Sequence, residues 1–231
     1  MLDTLRERLL RHLEQLPGYF MPNELAFLAA TAPPEAVVRD KLAFRLHEDL
    51  GDRYTIARDY RALELPGAAT LAILERTGEP LAILDLRSAT LPAALATNAF
   101  LLSQSLQHLT PTVPEHTQWY HVFLQHLPQV RLDAPWSAFS PTTGIGDWPP
   151  TLQAWMGLWQ DSADRFQYEW LDQWKRLAAE YLGFDPARIE ARILQGGSYY
   201  FTRQQLAVYL CGPFTVSDNL FQLTSWQSKA S

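Results

Sequence analysis

The segment from Thr70 to Arg87 reads Thr-Leu-Ala-Ile-Leu-Glu-Arg-Thr-Gly-Glu-Pro-Leu-Ala-Ile-Leu-Asp-Leu-Arg. Two apolar runs, Thr70 to Leu74 and Leu81 to Leu86, flank the turn-like connector Arg76-Thr77-Gly78-Glu79-Pro80. This pattern predicts an antiparallel hairpin. A strand with one wet face alternates apolar and polar residues, and these two runs do not. Both faces must be buried, which calls for a sheet covered by a layer of helices.

The flanking sequence supplies the helices. Leu2, Leu5, Leu9, Leu13 and Leu16 recur at helical spacing, with Asp3 as the expected N-cap and Pro17-Gly18 as the stop. A short helix is predicted from the cap Asn23 through Ala29. A third runs from Glu35 to Leu50, opened by Pro33-Pro34 and ended by Gly51. Val38, Leu42 and Leu46 form its buried stripe. Tyr54 to Arg58 reads as a strand before the hairpin. The nearly uncharged stretch Leu91 to Leu109 reads as a buried helix, and Gln118 to Leu127 as a fourth strand. Asp133 to Pro150 is rich in Pro, Gly, Ser and Thr and reads as a loop or linker.

Farther on, Thr151 to Leu182 reads as a long helical region. Trp155 and Trp159 share one face, as do Phe166, Trp170 and Trp174. Core or partner packing is the expected use of these aromatics, with base stacking as the alternative. Asp185 to Leu194 reads as a further short helix, and the tail beyond Gly196-Gly197 carries no assignment. The expected organisation is a helical extension over 1–32, an α/β core over 33–132, a linker over 133–150, and a helical, aromatic-rich part over 151–231 packed on the core.

Composition narrows the function classes. Of 231 residues, 47% are hydrophobic, which excludes a disordered chain. The net charge of −6 argues against a large phosphate-tracking surface, although a local basic patch suffices for DNA. The single cysteine, Cys211, excludes an intrachain disulfide and a cysteine zinc cluster, and fits a reducing cytoplasm. Met1 to Gln15 alternates Leu with Arg and Glu and has no signal-peptide apolar stretch. Leu91 to Leu109 is interrupted by polar residues and falls short of the roughly 20 apolar residues of a membrane span. A cytoplasmic protein without a membrane partner is the expectation.

From 35 to 127 the predicted order is helix, three strands, helix, strand. With the hairpin quoted above, this order resembles the PD-(D/E)XK nuclease superfamily. The resemblance implies an α/β, restriction-endonuclease-like fold, with a mixed sheet flanked by helices. In that family an Asp opens the second strand, an acid lies two residues before a Lys on the third, and a Glu on the first helix often completes the site. The carboxylates hold Mg²⁺, which polarises the phosphodiester and activates water. The Lys stabilises the developing charge.

Asp85 stands at the position of the strand acid, Arg87 at that of the Lys, and Thr70 at that of the first Asp. Glu35 is aligned with the helix stripe, so Asp85 and Glu35 are the candidate metal ligands and Arg87 the electrostatic group. Glu64 and Glu75 are the candidates to stand in for the missing carboxylate. A plain ion pair explains Asp85 and Arg87 equally well, and a helix-dipole preference explains Glu35. Thr is a poor substitute for a carboxylate, and Arg does not transfer protons.

The resemblance therefore implies a catalytically degenerate nuclease-like protein, serving as a binding, regulatory or structural subunit in a nucleic-acid-processing or defence context. The alternatives are an active Mg²⁺-dependent endonuclease with a rearranged site, and a self-associating scaffold with no nucleic-acid role. The cofactor is accordingly none or Mg²⁺. The partner is nucleic acid, another protein, or a second copy of the chain. Arg39, Lys41, Arg45 and Arg58 are the candidate phosphate contacts, offset by nearby Asp40, Glu48, Asp49, Asp52 and Asp59. His116, His121 and His126 are five apart, a spacing that cannot bring all three onto one metal, so ordinary surface or interface histidines are expected. Cys211 is expected to be a buried small residue.

Overall fold

The computed structural model describes residues 2–32, 34–60, 69–88, 114–130, 175–176, 185–199 and 202–215. The predicted helix Leu91 to Leu109, the linker 133–150 and nearly all of the aromatic region 151–182 lie outside the described residues, as does Glu64.

Three helices precede the sheet. Helix α1 spans Leu2–Glu14, α2 Glu24–Thr31 and α3 Glu35–Leu50. The expected leucine stripe is real: Leu5, Leu9, Leu13 and Leu16 are all buried. Asp3 lies inside the first turn of α1 and is not its cap, because the helix begins one residue earlier. Helix α3 ends at Gly51, whose φ of 61° suits a residue without a side chain. Asn23 precedes α2 but does not cap it. Its side chain instead accepts a hydrogen bond from the Ser198 backbone N–H at 2.8 Å, and so ties the start of α2 to a distant strand. That contact requires Gly197, since a side chain there would begin 2.7 Å from Asn23 Oδ1.

Six strands form one mixed sheet: β1 Thr55–Arg58, β2 Ala69–Leu74, β3 Pro80–Ser88, β4 Gln118–Val130, β5 Ile189–Tyr199 and β6 Thr202–Phe214. Their order is β1-β2-β3-β4-β6-β5. Strands β1, β2 and β3 form an antiparallel meander, and β4 lies parallel to β3. A parallel neighbour needs a crossover connection of a dozen or more residues, and residues 89–117 are that connection. The predicted hairpin is β2–β3, with Thr70 directly opposite Asp85.

The last two strands correct the expectation of a helical C-terminal part. Asp185 to Leu194 is not a helix. Only Pro186–Arg188 forms a single 3-10 turn, with Asp185 accepting from the Ala187 backbone N–H at 2.9 Å. From Ile189 onward the chain is β5, paired antiparallel with β6, which in turn pairs with β4. The run Ala-Arg-Ile-Glu-Ala-Arg-Ile-Leu is rich in good helix formers. Pairing with β6 overrides that weak local preference.

One face of the sheet packs on the helices. Leu71, Ile73, Leu84, Leu86, Tyr120, Val122, Leu124, Leu206, Val208 and Leu210 share a core with Leu9 of α1 and with Val38, Leu42 and Leu46 of α3. The alternate residues point the other way, because successive strand side chains face opposite sides. Among them are Thr70, Ile83, Asp85, Arg87, Trp119, His121, Phe123, Tyr209 and Cys211, and these are buried too. Burial on both faces explains why neither run of the hairpin alternates. Among the described residues, no helix is long and apolar enough to cross a membrane.

Candidate functional site

The second face carries a compact row of polar groups where β2, β3, β4 and β6 run side by side. Thr70 pairs with Asp85, Asp85 with His121, and His121 with Cys211. Arg87 lies on the face of Asp85, two residues along β3, as the alternation requires.

Asp85 is 1% exposed and Arg87 5%. Arg87 Nε donates to Asp85 Oδ2 at 2.8 Å. His121 Nδ1 lies 3.4 Å from the same oxygen, and the imidazole is stacked 5.9 Å from the Phe214 ring. Burial alone would push the Asp85 carboxyl up. The His121 imidazole and the Arg87 guanidinium beside it outweigh burial and hold the carboxyl below the usual carboxylate range. The folded protein therefore holds an ionised, internally neutralised carboxylate. Three polar atoms of this cluster have no hydrogen-bond partner among the described residues: Asp85 Oδ1, Arg87 Nη2 and Trp119 Nε1.

This arrangement has a consequence at acid pH. The folded-state carboxyl of Asp85 is depressed, so its stabilisation is fully present above the unfolded value of about 3.9 and is lost as pH falls through the lower folded value. Thermal melts followed by circular dichroism should show a level melting temperature from neutral pH to about 5, then a steep fall below about 4. A melting temperature that holds on down through the acid range would show that Asp85 is not ionised in the native state.

The other expected site residues are placed elsewhere. Glu35 stands in the first turn of α3 and accepts a hydrogen bond from Ser88 Oγ. Ser88 has the parity of Leu84 and Leu86, so Glu35 meets β3 on the helix-covered face. It does so three residues, about 10 Å of strand, beyond Asp85. The expected metal pair Asp85–Glu35 is therefore not assembled, because the sheet separates the two carboxylates. Thr70 Oγ1 donates to the Tyr60 carbonyl at 3.3 Å and is not offered to Asp85. Glu75 lies at the exposed turn end of the hairpin, away from Asp85.

These donors do not fit Mg²⁺, which asks for several oxygens in near-octahedral geometry. Asp85 offers one free carboxylate oxygen beside a guanidinium cation. Among the described residues, no group of three or more His, Cys, Asp or Glu side chains is placed to hold a metal.

The four cations expected to meet phosphate are each engaged with a carboxylate. Arg39 pairs with Asp40 and Asp59, Lys41 with Glu24, Arg45 with Glu48, and Arg58 with Asp40. Asp40, Glu48 and Asp59 make the expected offset by direct pairing, whereas Lys41 is held by Glu24 and Asp49 pairs with Arg8 and Arg11 instead. Cys211 is buried as expected, and burial pushes its thiol up, so it stays protonated.

His121 is the residue that sequence reasoning missed. His116 is exposed, as expected of a surface histidine, but His121 is 1% exposed and belongs to the Asp85 cluster. The signal was the alternation Trp119, His121, Phe123 along β4. It acquires meaning only with the parallel register that places His121 beside Asp85. Comparison with known proteins adds no relative: no family model, no curated protein and no solved structure matches the chain.

Proposed function

We propose that this chain is a non-catalytic, nuclease-like protein. It acts as a binding, regulatory or structural subunit in a nucleic-acid-processing or defence context. The observation that carries this reading is the state of Asp85. The residue at the position of the metal-binding acid is buried, ionised and already paired with the Arg87 guanidinium, with the His121 imidazole beside it. A hydrolytic centre would hold such a carboxylate open to a metal and to water.

Two further observations support the nuclease-like half of the reading. A mixed sheet with helices against it, entered by a helix and three successive strands, is what the resemblance implies. Thr70 and Asp85, at the positions of the two family acids, stand directly opposite one another on the β2–β3 hairpin. The subunit half of the reading follows from the ion-paired cations, which leave little local charge for tracking a phosphate backbone.

The test is cleavage of supercoiled plasmid, single-stranded DNA and structured RNA with Mg²⁺ or Mn²⁺, comparing wild type with Asp85→Ala. We expect no cleavage by either protein. Metal-dependent cleavage that Asp85→Ala abolishes would establish the active endonuclease instead, with a second carboxylate recruited beside Asp85.

A further inference from the structure

A second group of polar residues lies on the helical side of the molecule, away from Asp85. It joins α1, the 3-10 turn Leu16–Tyr19 and the C-terminal end of α3. Tyr19 Oη lies 2.7 Å from His12 Nδ1, and His12 Nε2 lies 3.1 Å from Asp49 Oδ2. Asp49 is anchored in turn, with Arg8 Nη1 3.0 Å from Oδ1 and Arg11 Nη2 2.9 Å from Oδ2.

The chemistry of the partners fixes the protons. Burial raises the Asp49 carboxyl, but hydrogen bonds from His12 and Arg8 and the charges of Arg8 and Arg11 outweigh it, so the group is ionised at neutral pH. An ionised carboxylate only accepts hydrogen bonds. His12 Nε2 must therefore carry a hydrogen, and in the neutral ring Nδ1 is the acceptor aimed at Tyr19. Burial also raises the Tyr19 phenol, against the charges of Arg45 and Arg11, so the hydroxyl keeps its proton at neutral pH. Its nucleophilicity then depends on a base within reach, and His12 is placed to be that base. Gln15 Oε1, 3.1 Å away, receives the phenolic hydrogen when His12 is protonated.

A hydroxyl, a base in hydrogen-bond contact with it, and a third group orienting the base make up the geometry of an activated nucleophile. Access is suited to the role. His12 is 6% exposed and sheltered, whereas Tyr19 is half-buried and Gln15 and Arg11 beside it are exposed. Two guanidinium groups, Arg45 and Arg11, act on the phenol, and a third, Arg8, lies behind them on Asp49. Arg8 and Arg11 hold Asp49, and the Arg45 guanidinium lies 4.9 Å over the Tyr19 ring. Against these three stand the two carboxylates that pair with them, Asp49 and Glu48, so the group carries one net positive charge, enough to favour a single anionic group over a neutral one but not to track a phosphate backbone.

We propose that Tyr19 is a base-activated nucleophile with His12 as its general base and Asp49 as the positioning residue, and that its electrophile is an anionic phosphoryl group. Tyr19 Oη attacks phosphorus, and the O–P bond forms as the bond from phosphorus to the leaving oxygen breaks. The phenolic proton passes to His12 Nδ1 and from there to water, and the leaving oxygen, on the far side of phosphorus, takes its proton from water. Nothing is oxidised or reduced. The same three residues could merely tie α1 to α3, so the test reads reactivity as well as folding.

The full-length protein is treated with an arylsulfonyl fluoride, from which a phenol displaces fluoride, and labelling is followed by intact mass and peptide mapping. We expect Tyr19 to be modified well ahead of the other tyrosines, and inorganic phosphate to protect it. His12→Gln should slow the reaction at Tyr19 by about a hundredfold, the usual worth of a positioned base. Asp49→Asn should slow it less and change the His12 ring ¹⁵N shifts that report the tautomer. Tyr19→Phe should remove the adduct. Circular dichroism shows which variants are folded, and the comparison among tyrosines in wild type needs no variant at all. Labelling of Tyr19 no faster than that of other tyrosines, or unchanged by His12→Gln in a folded protein, overturns the nucleophile. A lack of protection by phosphate overturns the phosphoryl assignment.

Discussion

Asp85→Ala should destabilise the protein by about 3–5 kcal/mol, measured by urea denaturation. The size comes from what is left behind. Arg87 is 5% exposed, and its Nε would lose the carboxylate 2.8 Å away. A buried cation without a partner is far more costly than the net worth of the pair that held it. The double replacement Asp85→Leu/Arg87→Met removes both charges and should recover most of the loss, because apolar groups of similar size often replace a buried pair at little cost. The difference between the double variant and the sum of the single variants measures the coupling directly. A hydrolytic centre predicts the opposite sign. Acidic groups held close together for a metal repel one another, and removing one stabilises the fold while ending activity. An Asp85→Ala variant more stable than wild type would therefore count against a structural pair.

Leu42→Ala should cost about 2–5 kcal/mol by the same measurement. Leu42 is fully buried at the middle of the α3 stripe, where the helix meets the sheet. Alanine is the best helix former, so the substitution carries no penalty in helix propensity. What remains is lost apolar transfer plus the cavity between helix and sheet. Leu42→Met keeps the volume and should cost less than about 1.5 kcal/mol. Phe44, two residues along the same helix and 57% exposed, is the contrast. Phe44→Ala should stay within about 0.5 kcal/mol of wild type. Equal losses at positions 42 and 44 would mean that α3 does not dock through the Val38, Leu42, Leu46 face.

The two predictions rest on parts of the protein that differ in how far the sequence discloses them. The α3 stripe is legible because periodicity of four along one helix is a local property, and α3 begins and ends where the Pro pair and Gly51 say it should. The β2–β3 hairpin is legible for the same reason, since its turn and both runs lie within eighteen residues. The strand β5 was not legible. Its residues favour helix by local preference, and the partner that makes them a strand, β6, is joined to it by a short connection whose own pattern is ambiguous. Glu35 was misplaced by a different route. Helical spacing aligned it with the buried stripe, but spacing along one helix does not say which face of which strand its carboxylate will reach.

What the residues determine by themselves is a helix-covered sheet with a hairpin buried on both faces, because continuous apolar runs and stripes at helical spacing leave no other way to remove that surface from water. They also place Asp85 and Arg87 on one strand face, because strand side chains alternate. Whether that carboxylate waits for a metal or is already neutralised was decided only in three dimensions. The parallel register of β3 on β4 brings His121 beside Asp85, while the sheet itself stands between Asp85 and Glu35. Register and sheet face relate residues more than thirty positions apart, and short-range pattern does not carry that information.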